Sequence, residues 1–135
     1  MRASSLWHSC QCAYAGLVYV VSTQRNARIH LVAGTIVVLM GIGVGLTLLE
    51  WAVLGLTIGT VFAFELLNTM VETLVDLVSP DHHPLAKIAK DVAAAAVLVT
   101  AATAAAVGIL ILGPPLWRIC GDWWLTRDAV GTGPG

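Results

Sequence analysis

Nineteen consecutive residues, LVAGTIVVLMGIGVGLTLL at positions 31–49, carry no charged side chain. A bilayer core is about 30 Å thick and an α-helix rises about 1.5 Å per residue, so roughly 20 apolar residues are enough to cross it. The stretch also contains the small residues that let membrane helices approach one another closely. These are Gly34, Gly41, Gly43 and Gly45. We therefore predict a transmembrane helix over residues 28–49.

The composition of the whole chain is that of a membrane protein. Of its 135 residues, 58% are hydrophobic and 11% are charged, and the mean hydropathy is +0.86. Two further apolar stretches predict spans over residues 51–78 and 85–112, within one membrane domain at residues 1–113. The predicted fold is an all-α integral membrane protein with three transmembrane helices. The net charge of −1 excludes the basic surface that nucleic-acid binding requires.

The two ends of the chain have a different character. Larger apolar residues recur every three or four positions over residues 3–22, which predicts an amphipathic helix that lies on the membrane surface or packs against the spans. The sequence Gly113-Pro114-Pro115 is expected to end the third span, because proline disrupts helical hydrogen bonding. Residues 114–135, which contain several tryptophans, are then expected to form an interfacial or disordered tail.

Basic residues are distributed unequally between the two sides of the predicted membrane domain. Two of the seven, Arg118 and Arg127, follow the third span. The other five lie on the side of the N-terminus and of the connector between spans two and three. They are Arg2, Arg25, Arg28, Lys87 and Lys90. Because cytoplasmic loops carry an excess of Lys and Arg, we predict that this side is cytoplasmic.

Three acidic residues interrupt the second predicted span. At about 100° per residue, Glu65, Glu72 and Asp76 fall within about 40° of one another, with Asn68 and Thr69 beside them. A carboxylate at membrane depth costs at least about 2.5 kcal/mol to insert, so such residues usually mark a functional site. The structural alternative is hydrogen bonding between helices, which mutual repulsion among three acids disfavours.

Basic residues border this acidic stripe in the sequence. Lys87, Lys90 and Asp91 open the third span, where an ammonium group could meet phosphate oxygens, and ordinary snorkelling is the alternative. A polar cluster before the first span is interpreted either as a polyanion site or as a positive-inside anchor. Its members are Arg25, Asn26, Arg28 and His30. The chain contains no glycine-rich phosphate loop of the G-x-x-x-x-G-K-[ST] type.

Two segments resemble a known signature in order and spacing. The sequence ELLNTMVE at 65–72 with Val75-Asp76, and AKDVAAAAV at 89–97, resemble the prokaryotic diacylglycerol kinase and undecaprenol kinase family. RNARIH at 25–30 and Glu50-Trp51 fit as well. The resemblance implies a homotrimer of three-span subunits with an amphipathic N-terminal helix. It also implies active sites shared between subunits near the cytoplasmic face of the bacterial inner membrane.

The same resemblance implies roles for individual residues. Glu65 would be the general base for the lipid hydroxyl, and Glu72 would hold the magnesium ion that bridges the ATP phosphates. Family members carry a second acidic metal ligand where this chain has Gln24, whose neutral amide oxygen would coordinate magnesium with less charge. The candidate contacts to the nucleotide and its polar site are Lys90, Asp91, Asp76, Asn68 and Arg28.

The predicted function is ATP-dependent phosphorylation of a membrane lipid alcohol, undecaprenol or diacylglycerol, with ATP and Mg²⁺ as cofactors. One alternative is a non-enzymatic oligomer that conducts protons or cations along the acidic stripe. Another is a catalytically degenerate family member, in which Gln24 weakens the metal site. The segment RNARIH at 25–30 resembles undecaprenol kinases more than the diacylglycerol kinases of Gram-negative envelopes.

Overall fold

The computed structural model describes residues 6–79 and 83–131, and these form four α-helices. They are α1 (Leu6–Thr23), α2 (Arg25–Val44), α3 (Leu48–Val78) and α4 (Pro84–Gly131). No strand occurs in the described ranges. Three of the helices are long and apolar enough to cross a membrane, by their length and composition, over Arg25–Val44, Leu48–Val78 and Pro84–Ile119. The predictions of an all-α fold and of three candidate spans are confirmed.

Parts of the sequence predictions fall outside these ranges. Arg2 and residues 3–5 of the predicted N-terminal helix lie outside the described residues, as do the connector residues 80–82 and the final residues 132–135.

The bundle is organised around the contact between α3 and α4. This pair makes the most extensive contact, α2 packs against both helices, and α1 contacts α2 and α3. Leu54 and Val61 of α3 and Val97 of α4 are buried between the helices, whereas many large apolar side chains face outward. Such outward-facing apolar surface is expected of helices that are surrounded by lipid, because lipid tails are as apolar as leucine.

A three-residue turn reverses the chain between α2 and α3. Gly45 ends α2 at φ 71°, and its N–H donates to the Gly41 carbonyl at 3.1 Å. Thr47 then begins a capping box: its backbone N–H donates to Glu50 Oε2 at 2.7 Å, and the Glu50 N–H donates to Thr47 Oγ1 at 3.4 Å. Glu50 therefore fixes the start of α3, a role that the sequence alone did not indicate.

The left-handed conformation of Gly45 predicts a position-specific loss of stability. Gly45→Ala should lower the free energy of unfolding by about 1–2 kcal/mol, because a Cβ atom strains the backbone at positive φ. Gly43→Ala is the matched control, since a Cβ there would meet no atom within 4 Å and alanine favours a helix. Thermal unfolding in detergent should show a lower Tm only for Gly45→Ala. Equal Tm values for the two variants would contradict this conformation.

α4 continues beyond the point where its end was predicted. The backbone remains helical through Pro114 and Pro115 to Gly131, so the prediction that the helix stops at Gly113 is wrong. The fixed φ of proline is itself helical, and the cost lies in lost hydrogen bonds and a local clash. Membrane helices tolerate proline because neighbouring groups and small backbone adjustments compensate for those losses. The interfacial placement of residues 114–135 stays a prediction.

Candidate active site

Glu65 lies at the buried centre of the candidate site. Its side chain is 1% exposed, and its carboxyl group lies within reach of the Ala27 backbone and near His30. Ala27 belongs to the first turn of α2, where backbone N–H groups have no partner within their own helix. The start of α2 therefore helps to hold the Glu65 carboxyl group. Glu65 Oε2 is buried and has no hydrogen-bond partner among the described residues, so the acceptor capacity of this oxygen is unused.

Glu72 forms a second polar centre with two amide side chains. Gln24 Nε2 donates to Glu72 Oε2 at 3.4 Å, and Asn68 Nδ2 donates to Glu72 Oε1 at 3.0 Å. Gln24 precedes α2 in an extended conformation and makes no side-chain cap, so its amide reaches across to α3. The structure thus brings together the two residues that were predicted to bind metal, Gln24 and Glu72.

The chemistry of this cluster suits a hard divalent cation. Magnesium binds through oxygen ligands, typically one or two carboxylates together with waters and substrate phosphates. Both amides point a nitrogen at Glu72, and a half-turn of each would present an oxygen instead. Asn68 Oδ1 is buried without a partner. No three His, Cys, Asp or Glu side chains converge in the described part of the chain. A cation would therefore depend on Glu72, the two amides and the phosphates of a nucleotide.

Two ion pairs lie where α3 ends and α4 begins. Lys90 Nζ lies 2.5 Å from Asp76 Oδ1, and Lys87 Nζ lies 3.5 Å from Asp91 Oδ2. The Asp76 and Asp91 side chains are 67% and 65% exposed, so both pairs are accessible to a water-soluble ligand. Exposed pairs of this kind contribute about 0–1 kcal/mol to stability, so a phosphate group could displace Asp76 from Lys90 at low cost.

Arg28 lies apart from the two polar centres. It is exposed and, together with Arg25, lines a surface groove of about 410 Å³ that continues along α2 over Val32 and Ile36. Within the described residues, no hydrogen bond or ion pair joins Arg28 to Glu65 or Glu72. Its role at the nucleotide stays a prediction.

Two features of the site were not predicted from the sequence. His30, interpreted there as part of either a polyanion site or a positive-inside anchor, lies near Glu65. Thr69 is buried, and its hydroxyl donates to the Glu65 carbonyl at 3.0 Å. The sequence contained a signal for the proximity of His30 to Glu65. A short turn makes α2 and α3 antiparallel, and His30 and Glu65 are about equally far along the chain from that turn, so they are expected at similar depth.

The sequence places the chain in a family. Residues 11–112 match the family model for prokaryotic diacylglycerol kinase. The chain belongs to the prokaryotic diacylglycerol kinase family. It is a lipid kinase, and the predictions of the family and of an enzyme are confirmed. Together with the apolar helices, membership in this bacterial membrane kinase family supports a multi-pass membrane protein.

Curated relatives in the family carry two kinds of name. The undecaprenol kinase of Bacillus subtilis is 45% identical over 101 residues, which is 75% of this chain and 82% of the relative. The diacylglycerol kinase of Synechocystis sp. is 47% identical over 115 residues, which is 84% of this chain and 66% of the relative. The diacylglycerol kinase of Helicobacter pylori is 45% identical over 51 residues, covering 38% of this chain and 40% of that protein. No solved structure matches the chain.

Proposed function

We propose that this protein transfers the γ-phosphoryl group of Mg-ATP to the hydroxyl group of a membrane lipid alcohol, undecaprenol or diacylglycerol. The observation that carries the proposal is the buried carboxyl group of Glu65, which has one unpartnered oxygen on the same face of α3 as Glu72. Phosphoryl transfer depends mainly on positioning, on neutralisation of phosphate charge and on a group that orients the nucleophile. The residues around α3 offer each of these.

Glu65 is the proposed general base. Oε2 would accept the proton of the lipid hydroxyl as its oxygen attacks the γ-phosphorus, and that oxygen has no competing partner among the described residues. The neighbouring Ala27 backbone would hold the carboxyl group in place. Burial also excludes bulk water, which would otherwise compete with the lipid hydroxyl for the phosphoryl group.

Glu72 is the proposed metal ligand, with Gln24 and Asn68 contributing amide oxygens after their side chains rotate. The Mg²⁺ ion, when bound, neutralises the phosphate charge and aligns the phosphates for transfer. Lys90 would exchange Asp76 for a phosphate oxygen, and Asp91 would contact the nucleotide beside it. Support for these roles comes from the hydrogen bonds that join Gln24 and Asn68 to Glu72 and from the accessible Lys90–Asp76 pair.

We propose further that three copies form a closed trimer in the bacterial inner membrane, with the N-terminus and the site at the cytoplasmic face. The positions of Arg25, Arg28, Lys87 and Lys90 at the same end of the bundle as the site support this orientation. The outward-facing apolar surface of the helices suits contact with lipid and with other copies. α1 would lie at the interface as an amphipathic helix.

The decisive experiment is transfer of labelled phosphate from Mg-ATP to a lipid alcohol in mixed micelles. Purified protein should phosphorylate undecaprenol, diacylglycerol or both, and chelation of Mg²⁺ should stop the reaction. If neither alcohol is phosphorylated at any Mg²⁺ concentration while the protein remains folded, the proposal is wrong.

Lys90→Gln should weaken nucleotide binding. We expect KM for ATP to rise by about tenfold, because a charge-assisted contact to phosphate contributes about 1.5–3 kcal/mol. Lys87→Gln is the matched control, since Lys87 lies one turn earlier on α4 and is 82% exposed. The comparison is made by steady-state kinetics at saturating lipid. Equal KM values for both variants and wild type would exclude the phosphate contact of Lys90.

Gln24→Glu tests whether the neutral amide has made the enzyme degenerate. A second carboxylate beside Glu72 should raise the affinity for Mg²⁺ by at least about tenfold, because ligand charge tunes affinity at such sites. The measurement is activity as a function of free Mg²⁺, at saturating ATP and lipid. Activity that appears only in Gln24→Glu would show that wild type is degenerate, and an unchanged Mg²⁺ dependence would show that Gln24 is no ligand.

A further inference from the structure

A partly open apolar cavity lies between α2, α3 and α4. Its volume is about 170 Å³, and it extends along α3 from Leu54 to Phe62, which corresponds to roughly 12 Å of helix. The wall on α4 consists of small residues such as Ala104 and Gly108. The side chains that line the cavity are apolar except for those of His30 and Thr57, and the Thr57 hydroxyl already donates to the Val53 carbonyl at 2.7 Å.

One end of this cavity adjoins the candidate active site. His30 lines the cavity and lies near the Glu65 carboxyl group. Phe62, at the same end, precedes Glu65 by less than one turn of α3. The far end, at Leu54, leads toward the α2–α3 turn and away from the polar centres. A molecule whose hydroxyl group reaches Glu65 would therefore extend its next atoms into an apolar space.

We propose that this cavity receives the first isoprene unit of a polyprenol, next to the hydroxyl-bearing carbon, and so selects a prenol over diacylglycerol. The inference rests on the proposed kinase function and specifies its substrate. An engineered apolar cavity of about 150 Å³ binds benzene, and an isoprene unit has one carbon fewer than benzene. The volume therefore suits one such unit.

The chemistry of the cavity wall favours the same occupant. A prenol has only hydrocarbon beyond its hydroxyl-bearing carbon, whereas diacylglycerol carries ester groups close to its hydroxyl. Apart from the His30 ring at the active-site end, no lining side chain offers a free donor, because the Thr57 hydroxyl donates to the Val53 carbonyl. Ester oxygens buried along the rest of the wall would lose their hydrogen bonds to water without replacement, which disfavours binding. We expect kcat/KM for a prenol to exceed that for diacylglycerol by at least about tenfold.

Filling the cavity tests the assignment. Ala104→Leu should lower kcat/KM for farnesol or undecaprenol by at least about tenfold while KM for ATP stays unchanged. Ala102→Leu is the matched control, because Ala102 is exposed on the same helix and does not line the cavity. Ala105→Leu provides a second filling variant should Ala104→Leu fold poorly. Equal kcat/KM values for prenol and diacylglycerol in wild type, or no effect of either filling variant, would overturn the proposal.

A second measurement does not depend on turnover. A prenol with a photoreactive diazirine on its first isoprene unit is irradiated with the nucleotide-free protein, and the labelled peptides are mapped by mass spectrometry. We expect labelling of residues 101–108 that is lost in Ala104→Leu and retained in Ala102→Leu. Labelling elsewhere, or equal labelling in both variants, would overturn the cavity assignment. Labelling of residues 101–108 without phosphate transfer to any lipid would instead retain the cavity and reject the kinase mechanism.

Discussion

Glu65→Gln should reduce phosphate transfer to the lipid alcohol by about 100- to 10,000-fold, the usual contribution of a positioned general base. The variant retains the size and the hydrogen-bonding capacity of the side chain, so the buried position should still be filled. It removes the ability of Oε2, which has no partner among the described residues, to accept a proton. The measurement is kcat with saturating Mg-ATP and lipid, and unfolding in detergent reports stability in parallel.

Glu50→Gln is the control for this experiment. It makes the same chemical change in the first turn of α3, fifteen residues before Glu65, where the amide oxygen can still accept from the Thr47 N–H. Its kcat should remain close to that of wild type. A Glu65→Gln protein that keeps more than about a tenth of wild-type kcat would show that Glu65 is not the base.

Glu72→Gln should cause the second large loss, through the metal ion. It removes the single carboxylate of the proposed donor set and leaves three neutral amides, so the affinity for Mg²⁺ should fall by about 100-fold. Titration with Mn²⁺, followed by electron paramagnetic resonance in the presence of a non-hydrolysable ATP analogue, measures this affinity without turnover.

The dependence of activity on Mg²⁺ distinguishes the proposed role of Glu72 from that of Glu65. Raising Mg²⁺ should partly restore the activity of Glu72→Gln but not that of Glu65→Gln, because only the first defect is one of metal affinity. Glu50→Gln should bind Mn²⁺ as wild type does. Wild-type Mn²⁺ affinity in Glu72→Gln would remove Glu72 from the metal site.

The sequence was sufficient to predict the helical architecture, because the length of an apolar stretch determines whether it can span a membrane. It misplaced the end of α2, since Gly45 and not residue 49 adopts the left-handed conformation that terminates the helix. It misplaced the end of α4 for a related reason. Whether Pro114 and Pro115 break a helix depends on compensation by surrounding groups, which local sequence does not contain.

The candidate site was predictable in part. Helical periodicity correctly placed Glu65 and Glu72 on one face of α3. It did not predict that Glu65 is buried and Glu72 partly exposed, because burial depends on how α2 packs against α3. The resemblance to the family indicated Gln24 as a ligand position, and the structure brings it to Glu72. The proximity of His30 to Glu65 and the pairing of Lys90 with Asp76 depend on contacts between helices, which residue spacing within one helix does not determine.

The break between α1 and α2 couples the orientation of the N-terminal helix to the position of a proposed metal ligand. Gln24 is the single non-helical residue between the two helices, and its side chain donates across to Glu72 on α3. The residue that connects α1 to α2 is therefore also a proposed metal ligand. A change in the tilt of α1, such as a thinner or more highly charged bilayer would impose, must rotate the backbone at Gln24 and thereby shift its amide relative to Glu72.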